Sequence, residues 1–200
     1  MIEKQTEARW SENVIIVDAA YIDKVAFNLI VNFERIIGRR IPNADLARWI
    51  DCVALDGGIR EGEHETSVVL VHAKDKSKLD YFTPADIAAD IASKAFKDHL
   101  GEFIFTPVTP EDMATEASLV KDTFALALQQ NEVKRIMVIT DTDVQYDDLR
   151  EVVDRADEAA DGKRITVFTM EPKVGGNFRQ EILGYSLMNA LGIKADEIKQ

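Results

Sequence analysis

Cysteine is almost absent from the chain, since Cys52 is the only one in 200 residues. A single thiol excludes an intrachain disulfide and a metal cluster held by several cysteines. Because the residues around it are mostly apolar, we expect Cys52 to be a small buried side chain. This cysteine content is typical of a reducing compartment, and we expect a cytoplasmic location.

Long hydrophobic runs and positive charge are also scarce. No apolar run approaches the roughly 20 residues that a membrane-spanning helix needs, and the polar start of the chain does not resemble a signal peptide. We therefore expect no membrane partner. Lys and Arg total 24 against 36 Asp and Glu, which gives a formal net charge of −12. This balance excludes a broadly basic surface for non-specific nucleic-acid binding.

Internal repeats and low-complexity tracts are missing as well. A chain of 200 residues suits one compact domain with a continuous core. We predict a single domain over residues 1–200, in which residues 1–12 form a polar N-terminal extension and residues 172–200 a C-terminal helical extension.

Apolar segments of two kinds alternate along the chain. Short β-branched runs predict strands at 13–18, 66–73, 102–108, 134–140 and 163–170. Helical spacing predicts helices at 21–38, 43–58 (with Asn43 as N-cap), 83–101, 109–131, 146–162 and 177–192. Unbroken apolar strands separated by helices indicate a mainly parallel sheet covered on both faces. The expected fold class is therefore α/β, a three-layer α/β/α sandwich.

Aspartates follow two of these strands. Asp18 ends the first, and Asp141 and Asp143 follow "KRIMVIT" (134–140). Ligands of such sheets bind beyond the carboxyl ends of the strands, and adjacent strands lie under about 5 Å apart. Carboxylates gathered there would repel each other until an oxygen-preferring cation such as Mg²⁺ or Mn²⁺ bound between them. The alternative is that each aspartate starts a turn or caps the next helix, with Asp143 as the cap of the helix that begins near Tyr146.

Four segments together resemble the NYN branch of the PIN-like metal-dependent nucleases. They are "VIIVDAAYI" (14–22), "EASLVKDTFALAL" (116–128), "IMVITDTDVQY" (136–146) and "GKRITVF" (162–168). Asp122 precedes Asp141 by nineteen positions, which is the spacing of an acidic helix residue in that family. Glu116 stands where the family has a further carboxylate, six residues earlier. On one continuous helix, positions six apart point in different directions, so Glu116 joins such a set only if the helix begins near it.

The resemblance implies a PIN-like domain that hydrolyses RNA with one or two Mg²⁺ or Mn²⁺ ions. It implies Asp18, Asp122, Asp141 and Asp143 as catalytic residues, and these four together with Glu116 as metal ligands. Besides Arg35, and Lys173 and Arg179 near the tail, the candidate contacts to the substrate phosphates are Arg39 and Arg40 in "GRRIP" (38–42). The same two arginines could instead place positive charge at the end of the first helix.

Departures from the family pattern leave a second interpretation open. Ala19, Ala20 and Tyr21 follow the first aspartate, where the family has Gly or Asn and then an Asn three residues on. Ile139 and Thr140 replace the small polar pair before the downstream aspartates, and Val144 replaces an aromatic side chain. The alternative is a catalytically silent PIN-like module that binds a protein partner or a nucleotide, or forms a homo-oligomer, and serves as a scaffold or sensor. "MVITDTDV" (137–144) also resembles the Asp-x-Asp motif of haloacid-dehalogenase-type phosphatases. Only 57 residues follow Asp143, which is short of what that family needs.

Overall fold

The computed structural model describes residues 10–92 and 94–198. Its helices are α1 (Ala19–Ile37), α2 (Leu46–Asp56), α3 (Glu116–Gln129), α4 (Thr142–Ala156) and α5 (Leu183–Ala190). Its strands are β1 (Asn13–Asp18), β2 (Ala44–Asp45), β3 (Glu65–Val71), β4 (Phe82–Thr83), β5 (Ala95–Asp98), β6 (Gly101–Val108), β7 (Arg135–Ile139), β8 (Arg164–Thr169) and β9 (Arg179–Ile182). A π-helical segment spans Ile87–Ile91, and a short 3₁₀ turn spans Asp157–Ala159.

Seven strands form the central sheet in the order β5-β6-β3-β1-β7-β8-β9. All neighbours are parallel except β5, which pairs antiparallel with β6 at one edge. β2 and β4 form a separate two-stranded ladder. Helices cover both faces of the central sheet, so the predicted three-layer α/β/α architecture is confirmed. No helix within the described ranges is long and apolar enough to cross a bilayer.

Two hydrophobic cores lie on the two faces of the sheet. Alternate residues of the central strand β1 serve both, because side chains of a strand point to opposite faces. Ile15 and Val17 face the core formed with α1, α2 and α5. Val14 and Ile16 face the core formed with α3 and α4. The carboxyl end of β1 therefore lies at the boundary between the two helical layers.

The helix predicted for residues 83–101 is wrong. Only Ile87–Ile91 is helical, and Ala95–Asp98 forms the edge strand β5. Phe96 pairs with Phe103 of β6, and the two rings stack with their centroids 4.7 Å apart. This cross-strand contact stabilises the extended conformation where the local spacing favours a helix.

The predicted helix over residues 177–192 and the extension over 172–200 also differ from the structure. Arg179–Ile182 joins the central sheet as β9, and the helix covers only Leu183–Ala190. The segment is therefore part of the domain, since β9 pairs with the open edge of β8 and Ser186 accepts a 3.1 Å hydrogen bond from the buried Trp49 indole. Of the predicted polar extension, residues 1–9 lie outside the described residues. Trp10 packs against the α3–α4 core.

The cap of α2 is Asp45 and not Asn43. The backbone N–H of Arg48 donates to Asp45 Oδ1 at 3.0 Å. Asn43 instead donates to the carbonyl of Asp80 at 3.1 Å. Asp and Asn accept a capping hydrogen bond equally well. Asp45, which directly precedes the first helical residue Leu46, is the one that caps the helix. The predicted stop of α1 at Gly38 is confirmed by its left-handed φ of 69°.

Candidate functional site

The winding direction of the sheet reverses between the neighbouring strands β1 and β7. Helix α1 follows β1 and packs on one face, whereas α4 follows β7 and packs on the other. Where the two following helices diverge in this way, an α/β sheet leaves a crevice beyond the carboxyl ends of its strands. Asp18 ends β1, and Asp141 follows β7 after a single residue. The fold therefore places both strand-end aspartates at one crevice.

Asp18 is the most buried carboxylate of this crevice, with 8% of its surface exposed. It caps α1, because the backbone N–H of Tyr21 donates to its Oδ1 at 3.0 Å. Burial raises the pKa of Asp18, the capping hydrogen bond from Tyr21 opposes this rise, and the charges of Glu116 and then Asp141 raise the pKa further. Glu116 and Asp141 are thus close enough for their charges to act on the Asp18 carboxylate.

Asp141 and Asp143 occupy the start of α4. Asp141 is the N-cap, and its Oδ1 accepts the backbone N–H of Asp143 at 3.1 Å. The predicted role of Asp143 as the cap is therefore wrong by two positions, because α4 begins at Thr142. The Asp143 carboxylate instead accepts a hydrogen bond from the ammonium of Lys173 at 2.5 Å. That ammonium holds Asp143 in the way that a bound cation would.

Glu116 reaches the crevice because α3 begins at this residue. Thr115 caps the helix, and Ser118 completes a reciprocal pair of hydrogen bonds between side chain and backbone. A carboxylate in the first turn is also favoured by the helix dipole. The condition that sequence analysis set for Glu116, a helix start close to it, is met.

Asp122 does not reach the crevice. It lies in the regular part of α3, six residues after Glu116, which places it about 9 Å further along the helix axis and on a different side. There it is exposed and lines a separate cleft between α3 and α4 with Lys121, Gln129 and Arg155. Asp122 has the spacing from Asp141 that the NYN family shows, but it lines a different cleft from Asp18 and Asp141.

The crevice is an open cleft of about 370 Å³, which we call the switch-point cleft. The side chains that line it include three carboxylates, one phenol, one ammonium and one exposed apolar group, which are Asp18, Glu116, Asp141, Tyr21, Lys24 and Val144. Three helices, α1, α3 and α4, begin at its wall. Their N-terminal backbone N–H groups carry partial positive charge, which partly offsets the repulsion among the carboxylates.

Tyr21 and Lys24 are cleft residues that sequence analysis did not include among the site residues. Burial raises the pKa of Tyr21 to about 12, with further contributions from the charges of Asp141, Asp143 and Asp18. The phenol therefore stays protonated and can donate a hydrogen bond inside the cleft. The sequence feature that indicates both residues is their spacing from Asp18: Tyr21 and Lys24 lie three and six residues after it, on the first two turns of the helix that Asp18 caps.

The donor chemistry of the switch-point cleft fits a hard divalent cation. Carboxylate oxygens are the ligands that Mg²⁺ prefers, and it is commonly held by one or two carboxylates together with water and substrate phosphates. Among residues 10–92 and 94–198, no group of three or more His, Cys, Asp or Glu side chains is arranged to hold an ion. The three carboxylates of the cleft are therefore not a preformed metal site.

Arg39 and Arg40 do not lie at the cleft. They follow the C-terminal end of α1, whose 19 residues extend about 28 Å from its start at Asp18. Arg39 donates to both carboxylate oxygens of Glu197, at 2.7 and 2.8 Å, and to the Gly192 carbonyl at 3.0 Å. Its contacts join α1 to the C-terminal segment, so Arg39 has a structural role in this fold.

Comparison with known proteins places the chain in a family without supplying an activity. No curated protein and no solved structure matches it. One family does match, and the matched residues include the whole central sheet and every side chain of the switch-point cleft. The chain belongs to the family of unknown function DUF6621, which matches residues 7–198.

Proposed function

We propose that this protein is a divalent-cation-dependent nuclease that hydrolyses RNA phosphodiester bonds at the switch-point cleft. One observation carries the proposal: Asp18, Glu116 and Asp141, which are remote in the chain, line one cleft. There burial, and then the charges of Glu116 and Asp141, raise the pKa of Asp18. The choice of RNA comes from the resemblance to NYN-type nucleases, which is an argument by analogy.

The electrostatics of the cleft favour a cation. Like charges that share a partly buried site destabilise one another, and a bound divalent ion removes this repulsion. Asp18 and Asp141 would hold the ion, with Glu116 across the cleft at the start of α3. Each aspartate also caps a helix, which restricts its side chain to one orientation. A fixed orientation lowers the cost of organising the site when an ion and a substrate bind.

Side chains and helix N-termini at the cleft could each assist hydrolysis of a phosphodiester. A bound ion would polarise a phosphodiester oxygen and lower the pKa of a bound water. The carboxylate of Glu116 can accept a hydrogen bond from the attacking water and orient it. The protonated phenol of Tyr21 can donate to a phosphate oxygen. The N-termini of α1, α3 and α4 favour the negative charge of the phosphate.

The test is cleavage of single-stranded RNA by the purified protein in Mn²⁺, with Asp18→Asn and Asp141→Asn as variants. Asn caps a helix as well as Asp does, so both variants should fold. The matched control is Asp45→Asn, which changes the exposed cap of α2 away from the cleft. We expect cleavage by the wild type and the control, and its loss in EDTA and in both cleft variants. Full cleavage by Asp141→Asn would overturn the proposal.

A catalytically silent module is the second candidate. Two observations favour it, namely that Lys173 already neutralises Asp143 and that the described residues contain no preformed set of three metal ligands. A ligand that binds only the folded state raises the unfolding temperature. A thermal-shift measurement therefore separates the candidates, since the silent module predicts no shift in millimolar Mn²⁺.

A further inference from the structure

An acidic cleft in a protein with a net charge of −12 repels a polynucleotide unless cationic groups are placed nearby. Arg39 and Arg40, two of the residues expected to serve this purpose, lie at the far end of α1. Two lysines are placed at the switch-point cleft instead. Lys24 lines it from α1, and Lys173 approaches Asp143 and Asp141 from the loop between β8 and β9.

Lys24 lies on the first two turns of α1. Its side chain is exposed, and it shares the helix face that also carries Ala20 and Tyr21 into the cleft. The Lys24 ammonium is exposed beside Asp18 and Tyr21, so it can contact a phosphate that enters from solvent without any buried side chain having to move. Lys24 is therefore suited to bind an anion that enters the cleft.

Lys173 is held in place by its backbone. The Gln180 amide accepts the Lys173 N–H and donates to the Lys173 carbonyl, both at 2.9 Å. Gln180 also donates to the Tyr146 hydroxyl at 2.8 Å, and that hydroxyl donates to the Gly175 carbonyl. This clamp attaches the loop to α4 and leaves the Lys173 ammonium at the edge of the cleft.

The ion pair between Lys173 and Asp143 is weak enough for Lys173 to exchange Asp143 for another anionic partner. The Asp143 side chain is 78% exposed, and an exposed pair of this kind contributes little to stability. A cation at the carboxylates would compete for Asp143 and release the ammonium toward a phosphate. The pair thus keeps Lys173 at the cleft without blocking an exchange of partners.

We propose that Lys24 and Lys173 bind backbone phosphates of single-stranded RNA on the two sides of the switch-point cleft. This inference rests on the proposed function. Lys24 lies on the helix that follows β1, and Lys173 lies in the loop that follows β8, which is beyond β7 in the sheet, so the two ammonium groups approach the cleft from its β1 side and its β7 side. The cleft volume of about 370 Å³ lies near the lower end of the roughly 300–1,000 Å³ of small-molecule pockets. It therefore suits one extended nucleotide and not a duplex.

The test is RNA binding, measured by fluorescence anisotropy with a labelled single-stranded oligonucleotide in Ca²⁺, an oxygen-preferring ion. Electrophoresis after each titration verifies that the RNA is intact. The variants are Lys24→Ala and Lys173→Ala. The matched control is Lys97→Ala, which removes the same charge from the edge strand β5, where Lys97 pairs with Glu63. A duplex of the same sequence is the competing ligand.

We expect each cleft variant to weaken binding about tenfold, the change that the loss of one charged hydrogen bond gives. The logarithm of the binding constant falls linearly with the logarithm of the salt concentration, and each cleft variant should make this slope less steep by about 0.7, the value for one single-strand phosphate contact. The control should change neither quantity, and Lys173→Arg should restore most of the affinity. The duplex should bind more weakly than the single strand.

Two results would overturn the inference, and the Mn²⁺ thermal shift tells them apart. If the cleft variants match Lys97→Ala while the wild type binds RNA and shifts with Mn²⁺, the lysine assignment is wrong and the proposed function stands. If the wild type binds neither Mn²⁺ nor RNA, both fail together. The lysine variants should retain the Mn²⁺ shift, because neither lysine is a metal ligand, and Lys173→Ala should increase it, because no ammonium then competes with the ion for Asp143.

Discussion

Asp18 and Asp141 each cap the helix that follows their strand, and those two helices pack on opposite faces of the sheet. One capping contact places each carboxylate at the start of its helix, where the strand order also leaves the switch-point cleft open. The interpretation of these residues as helix caps and their interpretation as site residues are therefore compatible. A cap engages one oxygen of the carboxylate and leaves the other for a ligand.

Asp18→Asn should raise the stability of the metal-free protein at neutral pH. Burial and the nearby acidic charges raise the pKa of Asp18 in the folded state, so its ionisation disfavours folding once the pH exceeds that raised pKa. Asn keeps the cap without the charge, and we expect an unfolding temperature higher by a few degrees at pH 7.5. The difference should shrink as the pH falls through the folded pKa toward 3.8, where wild-type Asp18 is also neutral.

Thermal unfolding of both proteins in EDTA from pH 4 to 8 measures this effect. Addition of Mn²⁺ should reverse the order, because only the wild type retains the full set of carboxylates. A lower unfolding temperature for Asp18→Asn throughout the pH range would show that the Asp18 charge is not a source of instability.

Asp122→Asn should leave Mn²⁺ binding and RNA cleavage unchanged within about twofold, whereas Asp141→Asn abolishes both. Asp122 lines the separate cleft between α3 and α4, where the ion would lie out of reach of its carboxylate. The comparison of the two variants by thermal shift and cleavage rate tests the geometry against the family spacing. Loss of the Mn²⁺ shift in Asp122→Asn would mean that the start of α3 rearranges to bring Asp122 into the site.

Stability should fall between about pH 4 and pH 7 because of Asp51. Burial, followed by the hydrogen bond that protonated Asp51 donates to Asp98 and by the charge of Asp98, raises the pKa of Asp51 from 3.8 to about 7. In this window the folded state binds a proton that the unfolded state has released, so the contribution of Asp51 to stability is lost as the pH rises. Asp51→Asn keeps a donor for Asp98 and should flatten the profile.

Urea unfolding of the wild type and Asp51→Asn at pH 5, 6, 7 and 8 measures the two profiles. Asp154→Asn, a substitution at an exposed position of α4, is the control for a general change of charge. Parallel profiles for the wild type and Asp51→Asn would contradict the assignment of the bound proton to Asp51.

Asp23→Ala should destabilise the protein by about 2–4 kcal/mol, since it leaves buried donors without an acceptor. The Asp23 carboxylate is 2% exposed and accepts the backbone N–H groups of Asp80 and Tyr81, both at 2.9 Å. It also accepts the Lys76 ammonium at 3.2 Å. Urea unfolding measures the loss, and Asp75→Ala, at an exposed position of the same loop, should change stability by under about 0.5 kcal/mol.

Local sequence patterns predicted the central strands of this protein but not the strands at the edges of its sheet. The five central strands were predicted within two residues at each end, because continuous β-branched runs have few alternatives to a buried strand. Residues 95–98 and 179–182 were predicted as helix and are strands at or near the edges of the sheet. Their conformation depends on a partner strand, β6 or β8, and local spacing carries no information about that partner.

By itself, the sequence determined the alternation of strands and helices and the two strand-end aspartates, because burial and helix capping act over a few neighbouring residues. The tertiary structure alone decided that β1 and β7 are neighbours, that Glu116 enters the switch-point cleft while Asp122 leaves it, and that Lys173 is near Asp143 while Arg39 is remote. These outcomes depend on strand order and on the direction in which each side chain leaves its helix. Both are set by packing between segments that are distant in the chain.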